Sequence, residues 1–337
     1  MTAVLSGKRW SLVVGGVVLA AALVAAVVTS SGPTAAAPWS PAPWSPAPRQ
    51  VAPYVDVTGA LPADPGSLVG PSGPGDAVLA FVLANDGECT PSWGGTIPLD
   101  DPAVAGVVNG LRARGGALTL ASGGAQGPYL ETACPDAAAL AAAYASALDA
   151  VGTNRLDVDV EGDIPEATVA AALADLQRSR GTEVTLTVQV EDQVTGITPE
   201  GMAIVRAGQE AGLEARVNVM LMNFSPEGSW LSAMTGALDV ALGQVGALEP
   251  GSDPADVAGR FGATVMIGRN DMDMTTTLDD AAAIRDHAET RGLGFLGFWS
   301  AARDNGGCPG APEARSDCSG VAQAPHAYTE TLGGFRA

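Results

Sequence analysis

From about Val51 onward, short apolar runs rich in β-branched residues alternate with Ala-rich stretches of helical periodicity, and this alternation restricts the fold more than any other feature of the chain. The candidate strands are residues 53–57, 77–84, 117–121, 156–161, 184–190, 217–222, 264–267 and 294–298. Between most of them lie amphipathic runs, at 136–151, 164–178, 199–211, 230–247 and 278–291. Strands that alternate with helices imply βαβ units and a parallel sheet. Eight such strands fit a single (β/α)8 TIM barrel, a fold of roughly 250 residues. A doubly wound open sheet is the competing arrangement. It is disfavoured because no Gly-x-Gly-x-x-Gly opens a helix after an early strand.

The segment before the barrel reads as an export signal. Lys8 and Arg9 precede residues 11–28, which are apolar apart from Ser11, Gly15 and Gly16, and the small-residue run Ala35-Ala36-Ala37 follows. This is the layout of a secretory signal peptide. An uncleaved anchor is the alternative, so residues 1–37 are expected to be a signal or an anchor, and membrane contact is expected only in the anchored case. Residues 38–50 form a Pro/Trp-rich linker with a tandem Pro-Trp-Ser-Pro-Ala, in which prolines forbid helix and favour an extended spacer. Residues 51–337 are then the folded domain, secreted or tethered at the cell surface. In an oxidising compartment the four cysteines imply two disulfides. Cys308 and Cys318 are close in a polar loop and pair with each other, leaving Cys89 for Cys134.

Charge narrows the partners. Seventeen Lys and Arg against 37 Asp and Glu give a net charge of −20. Such a surface does not fit nucleic acid, which is bound through a basic face. Only two histidines occur, His287 and His326, and no Cys-x-x-Cys, so neither a metal nor another cofactor is expected.

Chemistry in a barrel of this kind lies at the C-terminal ends of the strands. The fourth candidate strand reads Leu156-Asp157-Val158-Asp159-Val160-Glu161. Alternate side chains share a face, so Asp157, Asp159 and Glu161 point into the barrel while Leu156, Val158 and Val160 pack outward on helices. Crowded, desolvated like charges raise carboxyl pKa values, which suits a general acid. Two other readings compete. A calcium loop would place Thr168 where its twelfth position requires Glu. A glycosyltransferase Asp-x-Asp lacks any accompanying nucleotide-sugar signature.

The run Asn154 to Glu161 resembles the Asp-x-x-Asp-x-Asp-x-Glu signature of glycoside hydrolase family 18, the chitinases, with Asn154 in place of its first Asp. Ser122-Gly123-Gly124 resembles that family's glycine motif on the third strand, one residue short. The run from Met220 to Phe224 resembles its sixth-strand segment, and Trp299 its closing tryptophan. The stretch from Met266 through Asn270-Asp271 to Arg303-Asp304 is also similar to secreted bacterial members. The resemblance implies a monomeric hydrolase of β-1,4-linked N-acetylglucosamine, chitin or a related glycan. Its mechanism is retaining, with the substrate's acetamido group as nucleophile. Carried over, Glu161 is the acid and base, Asp159 orients the acetamido group, and Asp157 shares a proton or hydrogen bond with Asp159. Trp299, Met222, Asn223, Gln189, Ser122, Gly123, Gly124 and the loop residue Trp93 are the candidate sugar contacts. The sixth strand departs from the Met-x-Tyr-Asp of many members, having Met222 and Asn223 there. Three alternatives stay open: an endo-β-N-acetylglucosaminidase acting on glycoproteins, a non-catalytic, chitin-binding or lectin-like member of the fold, and a structural cell-wall protein tethered through its Pro/Trp spacer.

Overall fold

The computed structural model describes residues 49–59, 61–62, 65–70 and 75–336. The residues read as a signal or anchor and nearly all of the Pro/Trp linker lie outside the described residues.

Eight parallel strands close into a barrel: β1 (Gln50–Asp56), β2 (Ala77–Ala84), β3 (Leu118–Gly123), β4 (Arg155–Val160), β5 (Glu183–Asp192), β6 (Ala215–Leu221), β7 (Phe261–Met266) and β8 (Phe295–Trp299). Each pairs with its neighbour in chain order, and β8 pairs with β1, Val51 opposite Leu296, to complete the ring. Six longer helices surround it: α1 (Pro102–Ala113), α2 (Ala137–Val151), α3 (Glu166–Arg180), α4 (Pro199–Glu210), α5 (Trp230–Leu248) and α6 (Leu278–Arg291). The open-sheet alternative is thereby excluded.

The helix starts are chemically marked. Asp101 and Asp136 cap the first backbone N–H groups of α1 and α2, and Thr277 forms a reciprocal capping box with Asp280 at α6. Helix α1 is absent from the sequence reading, because its Val-Ala-Gly-Val-Val-Asn-Gly run is rich in poor helix formers. It folds because Val104, Val107, Val108 and Leu111 recur at helical spacing and are all buried.

Two apolar regions result. The main core lies between strands and helices and takes in Leu156, Val158 and Val160 of β4. A smaller cluster, with Ala52, Tyr54, Ala80, Ala121 and Phe295, lies on the other face of the strands, and Phe81 and Trp299 pack on it. The alternation in β4 therefore has the predicted consequence: apolar residues face the helices, and Asp157 and Asp159 face inward at 1% and 5% exposure. The disulfides Cys89–Cys134 and Cys308–Cys318 both form as paired from the sequence.

Candidate active site

The inward acids of β4 meet three different environments as the strand rises. Asp157 is deepest. Its Oδ2 accepts from the Tyr54 hydroxyl at 2.8 Å and its Oδ1 from the Thr187 hydroxyl at 2.6 Å. Asn218 extends this buried network, donating to Thr187 Oγ1 at 3.0 Å and to Thr264 Oγ1 at 2.9 Å. Burial pushes the Asp157 carboxyl up to about 6, against the pull of these two hydroxyls.

Asp159 comes next, and its Oδ1 has no hydrogen-bond partner. Burial first, then the charges of Glu161 and Asp157, hold its carboxyl well above the usual range. Asp157 and Asp159 interact through charge, each adding to the negative potential around the other. Both Asp157 oxygens accept from hydroxyls, which fixes its carboxyl beneath Asp159.

Glu161 stands at the strand's end, half-buried, and accepts a long hydrogen bond from Gln189 Nε2 at 3.4 Å. Burial raises its pKa, the Gln189 bond opposes this, and the negative charge of Asp271 adds to the rise.

Asp159 and Glu161 line a cleft of about 550 Å³ that opens to solvent. Trp299 lines it as well, its ring stacked on Phe81 with centroids 5.7 Å apart and planes inclined by 20°; the Tyr54 ring lies 6.2 Å from Trp299. Met222 and Asn223 also border the cleft.

Four candidate contacts need correction. Ser122 is fully buried and donates to Glu131 Oε1 at 2.7 Å, so it turns away from the cleft. Gly123 and Gly124 are buried, and their role is close approach. A Cβ on Gly123 would meet the Asp159 carbonyl oxygen at 2.0 Å, and one on Gly124 would meet the Phe81 ring at 2.8 Å; both glycines have positive φ. They shape the wall without presenting a group to a ligand. Trp93 is also fully buried, in the same apolar cluster as Cys134, and does not reach the cleft.

Sequence reasoning also missed several residues. Thr187 and Asn218 share the inward faces of β5 and β6 with Gln189 and Met220, a period-two pattern that could have revealed them. Phe81 follows a run of apolar residues and gives no distinct signal. Asp271 lies in a loop, and only the fold brings it to the cleft. Among the described residues, no group of three His, Cys, Asp or Glu side chains could hold a metal ion. The calcium-loop reading fails because β4 is a strand and Asp157 is satisfied by hydroxyls.

No family model matches the chain. It is 30% identical over 308 residues to the probable bifunctional chitinase/lysozyme of Escherichia coli (strain K12), covering 84% of this chain and 34% of that protein. It is 30% identical over 273 residues to endochitinase 11 of Metarhizium anisopliae, covering 75% of this chain and 52% of that protein. The chain thus spans between a third and about half the length of these curated relatives. Among solved structures, the catalytic domain of hyperthermophilic chitinase from Pyrococcus furiosus aligns with a TM-score of 0.77 and 27% identity, over 86% of this chain and 97% of that one. The chain belongs to glycoside hydrolase family 18. A family 18 chitinase from Pseudoalteromonas aurantia shares the fold at a TM-score of 0.56 and 12% identity, over 85% of this chain. As a family 18 domain, the chain presents Asp159, Glu161 and Trp299 at one mouth of its barrel.

Proposed function

We propose that this chain is an exported glycosidase that cleaves β-1,4-linked N-acetylglucosamine polymers with retention of configuration. The observation that carries the reading is the cleft itself: Asp159 and Glu161, on one strand, border it together with the half-buried ring of Trp299. Two curated relatives are a probable chitinase/lysozyme and an endochitinase, which supports the substrate class.

In this mechanism a sugar packs on Trp299. Glu161, whose proton burial makes harder to lose, gives it to the glycosidic oxygen as the bond to the anomeric carbon breaks. The substrate's own acetamido oxygen forms the new bond to that carbon, giving a cationic oxazolinium. Asp159 orients the acetamido group and offsets that positive charge; its unpartnered Oδ1 is an acceptor available for an amide N–H. Glu161 then takes a proton from water as the water opens the ring. Asp157 stays behind Asp159 as a fixed, hydroxyl-bound group that tunes its charge. The acidic surface is tolerated because the substrate is neutral. Export is supported by the Lys8-Arg9 and apolar N-terminal pattern and by the two disulfides.

The test is proton NMR of the first product released from a chito-oligosaccharide. The β-anomer is expected at early times. Initial release of the α-anomer would contradict the substrate-assisted route. Turnover of a high-mannose glycoprotein without turnover of chitin would shift the substrate to glycoproteins.

A further inference from the structure

Asp271 is the acid of the cleft that the mechanism above leaves unused. It lies in the loop that follows β7 and borders the same space as Glu161. Asn223, just past the end of β6, holds it in two ways. The Asn223 amide donates to Asp271 Oδ2 at 2.8 Å, and the Asp271 backbone N–H donates to Asn223 Oδ1 at 3.0 Å. Asn223 does this from a left-handed backbone (φ 58°), a conformation that Asn tolerates better than most residues. Among the described residues no Lys, Arg or His nitrogen stands within ion-pair distance of Asp271. The Arg303 guanidinium donates to the carbonyl oxygens of Ile267, Arg269 and Arg315 and keeps its positive charge, which attracts Asp271 from a distance without forming a direct ion pair. The Asn223–Asp271 pair is therefore a mount for a carboxylate without a direct ion pair, at the rim of the acid's own cleft.

Resting on the glycosidase reading above, we propose that Asp271, clamped by Asn223, is a positioning residue whose fixed negative charge keeps Glu161 protonated until the glycosidic oxygen takes the proton. Asp271 itself neither gives nor receives a proton in the step. Its influence grows when substrate enters. Water between exposed carboxylates screens them strongly, and a sugar that displaces this water lowers the local dielectric and strengthens the repulsion. The acid is thus held ready mainly in the complex. The arrangement also gives Asn223 a purpose at a position where many family members carry Asp: the carboxylate comes from the neighbouring loop, and Asn223 anchors it.

The other titratable groups near Glu161 are Asp159 and, more deeply, Asp157 on β4, Tyr54 on β1, Tyr129 ahead of the one-turn helix Leu130–Ala133, and Glu131 in that helix, which is held by the Ser122 and Tyr144 hydroxyls. Both tyrosines are pushed above the ordinary phenol range by burial and by these acids, so they stay neutral at working pH. None of these groups is hydrogen-bonded to Asp271, and Arg303 is the cation its charge acts on.

The experiment is the pH dependence of kcat and of kcat/KM for the full chain on a fluorogenic chitobioside, for wild type, Asp271→Asn and Asn223→Ala. Asp271→Asn keeps an acceptor for the Asn223 amide and removes the charge. Its alkaline limb, which reports loss of the Glu161 proton, is expected to move to lower pH. The shift should be larger in kcat, which reports the complex, than in kcat/KM, which reports the free enzyme. Asn223→Ala should shift the limb in the same direction by less, because the carboxylate remains but is no longer fixed. An alkaline limb unmoved in Asp271→Asn overturns the proposal, and so does an equal loss of activity at every pH, which a merely structural residue would give. Absence of wild-type turnover would instead overturn the glycosidase reading, and this inference with it.

Discussion

Asp159 is the side chain for which folding and chemistry conflict most. Its carboxyl is 5% exposed, has an oxygen with no partner and lies between two other acids. The folded chain consequently holds its proton more tightly than the unfolded chain does. The same sign applies to Asp157, raised to about 6, and to Glu161. For a carboxyl raised by folding, the native state binds more protons between the unfolded and folded pKa values, so stability falls as pH rises through that window. Asp159→Asn, which loses no accepted hydrogen bond at Oδ1, should therefore melt higher than wild type near neutral pH. The gain should shrink as the pH is lowered towards about 4, where the wild-type carboxyl is already protonated. Thermal unfolding of the two proteins across that range measures it. A variant less stable than wild type at neutral pH would mean that the carboxylate is satisfied by groups other than those described.

At the scale of elements, β4 was legible because its alternation is strict and both of its faces have a chemical identity. The glycine motif after β3 was legible as a motif but not as a function. Nothing in Ser122-Gly123-Gly124 indicates that the hydroxyl turns to Glu131, or that the glycines admit the Asp159 carbonyl and the Phe81 ring. Loops were the least legible elements, since Asp271 reaches the cleft only through the closure of the barrel. One loop is cross-linked: Cys89, after β2, is bonded to Cys134, which caps the helix Leu130–Ala133, across 45 positions. The Cys308–Cys318 bond spans only 10. On the chain-entropy account these constrain the unfolded state by about 4 and about 3 kcal/mol respectively. Replacing Cys89 and Cys134 together by Ser should therefore lower the denaturant midpoint more than replacing Cys308 and Cys318, as read from equilibrium unfolding curves. The reverse order would show that strain or native contacts at the second bond outweigh loop length.

For the whole molecule, the eight-fold strand–helix alternation dictated a barrel, and the barrel dictated that strand ends converge at one mouth. The structure brings Asp159, Glu161, Trp299, Met222 and Asn223 to that mouth, with Asp157 beneath them, because each lies within or just beyond a strand. Sequence reasoning misplaced Trp93, read as a loop residue, which lies in a short strand (Pro91–Trp93) paired antiparallel to β2 and buried in the core. It picked out the inward acids of β4 from the 37 in the chain, and the fold adds Asp271 at the rim of their cleft. The central claim is that Glu161 carries the proton for glycosidic cleavage. Its most direct test is the release of fluorophore from a chitobioside by the folded wild type beside Glu161→Gln, with binding of chitin measured for both. Wild-type turnover that falls about 10²–10⁴-fold in the variant, with binding retained, is the expected result. Equal rates in the two proteins, or no turnover in either while both bind chitin, would contradict it.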